Sequence, residues 1–104
     1  MFTKSSRFSF KRALPKNVFH SPSFNLRYEK NEATLKVAVV VSKKVDKRAT
    51  VRNKVKRQLL EALRNKISND ENLNLVFYIK NNALNRNNLD LEKEIGEAIN
   101  SLKS

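Results

Sequence analysis

The run Thr34-Leu35-Lys36-Val37-Ala38-Val39-Val40-Val41-Ser42-Lys43-Lys44 is followed, after Val45-Asp46-Lys47, by Arg48-Ala49-Thr50-Val51-Arg52-Asn53-Lys54-Val55-Lys56-Arg57-Gln58-Leu59-Leu60-Glu61-Ala62-Leu63. The first half is β-branched and nearly continuous, which predicts a well-buried strand over 34–41. In the second half Val51, Val55, Leu59, Ala62 and Leu63 recur at helical spacing, so a helix is predicted from Thr50 to about Lys66, with Thr50 as its N-cap. On that helix Arg52 and Lys56 lie one turn apart, as do Asn53 and Arg57, which gathers the four into a basic patch away from the apolar stripe.

Working outward, Phe24-Asn25-Leu26-Arg27-Tyr28 alternates strictly and predicts a half-buried strand. The turn-like Glu29-Lys30-Asn31-Glu32 suggests a hairpin that pairs this strand antiparallel with 34–41. Beyond the helix, Leu73-Asn74-Leu75-Val76-Phe77-Tyr78-Ile79 reads as another apolar strand, and an Asn-rich loop from Asn81 to Asn88 precedes a last helix with the stripe Leu91, Ile95, Ala98, Ile99 and Leu102. Residues 1–23 interleave Arg7, Lys11 and Arg12 with Phe8 and Phe10 and carry Pro15 and Pro22. They predict an irregular or extended arm, or a truncated helix, ahead of an α+β body at 24–104. The whole reads as one domain, helices packed against one sheet of about four strands.

The chain has 104 residues, with 22 Lys and Arg against 10 Asp and Glu, for a net charge of +12. The excess is local: residues 1–67 hold 18 basic and four acidic side chains, residues 68–104 four and six. Between Lys43 and Arg57, Lys43, Lys44, Lys47, Arg48, Arg52, Lys54, Lys56 and Arg57 face a single acid, Asp46. Cations so crowded repel one another unless a polyanion neutralises them, and a nucleic-acid backbone is the usual one. A face kept for solubility normally mixes signs.

Other classes are disfavoured. There is no cysteine, hence no disulfide framework, thiolate metal site or Cys nucleophile. The one histidine, His20, sits between proline-containing stretches without a neighbouring carboxylate cluster, Ser42-Lys43 lacks any oxyanion arrangement, and the sole glycine, Gly96, falls in the last helix, so no phosphate-cradling loop exists. The polypeptide is not expected to be catalytic by itself. No apolar run approaches the roughly 20 residues of a membrane span, and Met1-Phe2-Thr3-Lys4-Ser5-Ser6-Arg7 lacks an apolar signal core; a cytoplasmic location without membrane contact is expected.

Val39-Val40-Val41-Ser42-Lys43-Lys44-Val45, with Arg52-Asn53-Lys54 and Lys56-Arg57 on the following helix, resembles the protein subunit of bacterial ribonuclease P. That family joins a strand ending in Ser-Lys-Lys to a helix that opens on an Arg-Asn-Arg element followed by Lys-Arg. The resemblance implies a ribosomal-S5-domain-2-like two-layer α+β sandwich with a left-handed strand-helix-strand crossover. It also implies a function: the RNA subunit hydrolyses precursor tRNA at its 5′ end with Mg2+, bound mainly by the RNA, while the protein docks that RNA and receives the 5′ leader. The expected partners are ribonuclease P RNA and precursor tRNA; no DNA is expected.

The RNA-binding set is then Lys43, Lys44, Arg48, Arg52, Asn53, Lys54, Lys56 and Arg57, in which arginines fork onto phosphates and lysines act as point charges. Asn53 can also meet a metal-bound water as an outer contact, with no metal held directly by the protein. For a single-stranded leader the candidates are Phe8, Phe10, Phe19, Asn25 and Arg27, although each phenylalanine serves equally well as core or arm packing. The chain departs from the family pattern at Pro15, where an aromatic is usual, at Lys54 and Leu60, where arginines are common, and in the short interval from Phe19 to Phe24. A small ribosomal or other structural RNA-binding protein with no processing role is the alternative.

Overall fold

Leu73–Ile79 is an inner strand of the sheet: Leu73, Leu75, Phe77 and Ile79 are buried on one face, while on the other Val76 is buried between half-buried Asn74 and Tyr78. The computed structural model describes residues 14–32, 34–67 and 71–103. In chain order these form β1 (Asn17–His20), β2 (Phe24–Lys30), β3 (Lys36–Val40), α1 (Ala49–Arg64), β4 (Leu73–Ile79), a short 3-10 helix (Asn81–Asn85) and α2 (Asn88–Lys103). The sheet runs β1-β2-β4-β3. β1 and β4 are antiparallel to β2, and β3 is parallel to β4.

The expected hairpin between the 24–28 and 34–41 strands is therefore absent, since β4 lies between them. Adjacent parallel strands need a long crossover rather than a tight turn, and α1 is that crossover, as the family resemblance implies. Nor is β3 the more buried strand: it is an edge on which Lys36, Ala38, Val39 and Val40 are only half-buried. Its β-branched run reflects packing of Leu35, Val37 and Val41 against the core, with Val39 at the margin.

Register fixes the two faces. Phe24, Leu26 and Tyr28 of β2 stand opposite Ile79, Phe77 and Leu75 of β4, and Val37 and Val39 of β3 join the same side. Onto this face α1 packs Val55, Leu59, Ala62 and Leu63, and α2 packs Leu91, Ile95, Ala98 and Ile99. Phe24 and Phe77 meet edge to face with ring centroids 5.2 Å apart. Both predicted apolar stripes are thus the buried ones, apart from half-buried Val51 and Leu102.

Thr50 is not the N-cap of α1. Arg48 occupies that place without a side-chain cap, and Thr50 is exposed within the first turn. The Asp46 carboxylate instead accepts the Arg48 N–H at 2.8 Å, supplying an acceptor one step upstream of the helix. Part of the predicted arm is a strand, because Asn17–His20 pairs with β2.

Candidate nucleic-acid interface

The loop from Ser42 to Lys47 joins the edge strand β3 to α1 and is closed by its own bonds. Val45 N–H donates to the Ser42 carbonyl at 3.0 Å, which makes a tight turn with Lys43 and Lys44 exposed at its tip. Arg48 grips Asp46 with Nε at 3.1 Å from Oδ1 and Nη2 at 3.0 Å from Oδ2. These side-chain bonds, with the Arg48 N–H, hold the Asp46 carboxyl at about 2, below its ordinary 3.8. Arg52 reaches back from the helix, and its Nη1 donates to the carbonyls of Asp46 at 3.0 Å and Lys47 at 2.8 Å.

The predicted patch of Arg52, Asn53, Lys56 and Arg57 is divided by these bonds. Asn53, Lys56 and Arg57 line an open concavity on α1 together with Thr50. Arg48 spends its Nε and Nη2 edge on Asp46, and Arg52 spends Nη1 on the loop carbonyls while its Nε and Nη2 edge makes no bond to a described residue. Lys43, Lys44, Lys47, Lys54, Lys56 and Arg57 make no side-chain hydrogen bond or ion pair with another described residue. Six uncommitted cations on one loop and one helix, with the neighbouring acid neutralised, form a surface suited to phosphates. Among the described residues no group of His, Asp and Glu gathers to hold a metal ion.

The sheet face turned away from the helices is the second candidate surface. By register it carries Val18 and His20 of β1, Asn25 and Arg27 of β2, and Val76 and Tyr78 of β4. His20 Nδ1 lies 2.7 Å from Asn25 Oδ1, a hydrogen bond across the two strands. Arg27 Nε donates to the Pro15 carbonyl at 3.0 Å, so the chain ahead of β1 reaches this face, where Pro15 and Val76 are buried.

The predicted leader residues are not all brought together. Asn25 and Arg27 share the open face, whereas Phe19 stands opposite Leu26 and packs half-buried against the helix-side core. Phe8 and Phe10 lie outside the described residues. Tyr78 and His20 belong to the open face and were not predicted; the alternation of Asn74, Val76 and Tyr78 along β4 is the signal for Tyr78, and His20 follows only from the β1 register.

The family model for Ribonuclease P matches residues 2–103. The chain belongs to the Ribonuclease P family. Among solved structures, this family member resembles the RNase P protein from Thermotoga maritima, at 18% identity and a TM-score of 0.72 over 88% of this chain and 93% of that one. It also resembles the Staphylococcus aureus RNase P protein, at 20% identity and a TM-score of 0.71 over 84% and 81% of the two chains. A mutant of the Staphylococcus aureus protein with defective mRNA degradation activity matches at 19% identity and a TM-score of 0.71, over 84% and 75%. No curated protein sequence matches significantly. At these identities the solved structures show a shared fold, and membership rests on the family match. Membership makes the chain a ribonuclease P protein component and implies a ribonuclease P RNA as partner. No helix of the described residues is long and apolar enough to cross a membrane.

Proposed function

We propose that this protein docks the RNA subunit of ribonuclease P through the Ser42–Lys47 loop and the Asn53, Lys56 and Arg57 face of α1, and that it receives the 5′ leader of precursor tRNA on the open face of the sheet. The observation that carries the proposal is the match to the Ribonuclease P family across residues 2–103, within which the uncommitted cations cluster on one loop and one helix.

In this reading the hydrolysis belongs to the RNA, with Mg2+ held mainly there. The polypeptide contributes affinity and position. Lys43, Lys44, Lys54 and Lys56 neutralise phosphates as point charges, Arg57 offers a bidentate fork, and Asn53 offers a donor and an acceptor to RNA groups or a metal-bound water. Arg48 and Arg52 hold the loop that presents the lysines. On the open face Arg27 and the Asn25 carboxamide meet backbone and base edges, and Tyr78 offers a ring for stacking.

Reconstitution with a bacterial ribonuclease P RNA tests this. The protein should permit precursor-tRNA cleavage at Mg2+ concentrations where the RNA alone is inactive. RNA binding without stimulation, across several such RNAs, would make the chain a structural RNA-binding protein. Cleavage by the polypeptide without the RNA would relocate the catalyst.

A further inference from the structure

The connection Ser21-Pro22-Ser23 between β1 and β2 has its polar atoms taken up by three other elements. Ser21 N–H donates to the Phe24 carbonyl at 2.9 Å, the Ser21 carbonyl accepts the Lys80 ammonium at 2.8 Å, and the Ser23 carbonyl accepts the Lys80 N–H at 2.9 Å. Glu94 of α2 takes the rest. The Ser21 hydroxyl donates to Oε1 at 2.5 Å, Ser23 N–H to the same oxygen at 2.9 Å, and the Ser23 hydroxyl to Oε2 at 2.6 Å. Arg86 Nε stands 3.7 Å from Oε2.

This carboxylate is buried, only 9% exposed, and both serines are buried with it. Burial alone pushes Glu94 up, but the two hydroxyls, the Ser23 N–H and Arg86 outweigh it and hold its carboxyl below the usual range. It is therefore ionised at neutral pH and accepts at both oxygens. Buried ionic groups are weak devices for stability, since apolar groups of similar volume often do as well, yet they fix geometry closely when every partner is satisfied.

What this corner holds is β1. That strand has four residues, pairs among the described residues only with β2, and sends one half-buried side chain, Phe19, toward the core. Its last residue, His20, adjoins the corner and orients Asn25 through the 2.7 Å bond on the open face. We propose that Glu94 is a positioning residue for the leader site: by fixing Ser21 and Ser23 it sets where His20, and through it the Asn25 carboxamide, stand to meet single-stranded RNA. The proposal rests on the leader reading above.

The test compares Glu94→Gln and the milder Ser23→Ala with the unsubstituted protein, each reconstituted with ribonuclease P RNA. Glutamine keeps the volume but accepts at one oxygen and has lost the charge. Apparent affinity for leader-bearing precursor should fall about tenfold with Glu94→Gln, the size of one lost hydrogen bond to a charged group. A smaller loss is expected with Ser23→Ala. Affinities for mature tRNA and for the RNA subunit should hold. In the free protein the His20 ring and Asn25 side-chain amide resonances should shift while those of α1 stay in place.

An equal loss for precursor and mature tRNA in both variants, or no loss in either, would overturn the positioning role. Arg27→Ala and Asn25→Ala separate the positioning role of Glu94 from leader binding itself. If they abolish leader discrimination and Glu94→Gln and Ser23→Ala do not, the positioning role is wrong and the leader reading stands. If none of the four affects discrimination, the leader reading falls, and unmoved His20 and Asn25 resonances would independently overturn the positioning role.

Discussion

Arg52 Nη1 lies 2.8 Å from the carbonyl oxygen of Lys47 and also bonds the carbonyl of Asp46, so the first turn of the basic helix is fastened to the loop that precedes it. The arginine that motif spacing places among the phosphate ligands spends part of its guanidinium on its own chain. In the proposed reading Lys43 and Lys44 meet RNA from a closed loop, which lowers the ordering entropy lost on binding.

Removing Arg52 should consequently act on more than one contact. Arg52→Ala is expected to weaken RNA-subunit binding and to flatten its salt dependence by about two units of log–log slope, as the loop lysines lose their places, whereas Arg57→Ala should remove only about 0.7–0.9 of a unit. Filter binding across a salt series reads both. Equal slope changes for the two variants would mean that Arg52 is an ordinary phosphate ligand.

Under the proposed docking, the six uncommitted cations are expected to set the wild-type slope. Contact with about six phosphates predicts a log–log slope of roughly −4 to −5. A flat response to salt would show that this face does not dock RNA. Arg57→Ala should leave unfolding stability within about 0.5 kcal/mol of wild type, because the side chain is exposed and makes no bond to a described residue.

Acid should loosen the loop in a defined window. The Asp46 carboxyl is held at about 2 when folded, against an ordinary 3.8, so its contribution to stability is complete above about pH 4 and disappears as pH falls toward 2. Asp46→Asn removes that contribution at neutral pH. Thermal melts from pH 7 down to 2 should show the two proteins converging at the acid end; a constant offset over the range would contradict the assignment.

Gly96 sits inside α2, and among the described residues a methyl group there would meet only the Lys66 side chain, at 3.8 Å from Cε, an ordinary contact. Gly96→Ala should stabilise the fold by about 0.5–1 kcal/mol through helix propensity. Denaturant unfolding should register this as a higher midpoint at unchanged slope.

Much of the architecture was legible because it is local. The stripe Val55, Leu59, Ala62 and Leu63 declares α1 and its buried face, and the apolar run from Leu73 to Ile79 declares β4. Strand neighbours were not legible, since alternation at Phe24, Leu26 and Tyr28 reports which face is buried and not which strand lies alongside. The hairpin expected between β2 and β3 fails for that reason. At the candidate site the residue types and spacing that place Lys43, Lys44, Asn53, Lys56 and Arg57 were readable. The commitments of Arg48 and Arg52 depend on side-chain geometry around Asp46, and the inward turn of Phe19 depends on its register with Leu26. The Glu94 corner joins residues more than 70 positions apart in sequence, and no short pattern announces it.

The central claim is that this polypeptide serves ribonuclease P by binding its RNA and the leader-bearing substrate. Reconstitution with a bacterial ribonuclease P RNA at low Mg2+ measures it most directly, with cleavage of precursor tRNA to the mature 5′ end as the readout. The account predicts cleavage with protein and RNA together and none with either alone. Absence of stimulation across several such RNAs, or cleavage by the protein alone, would contradict it.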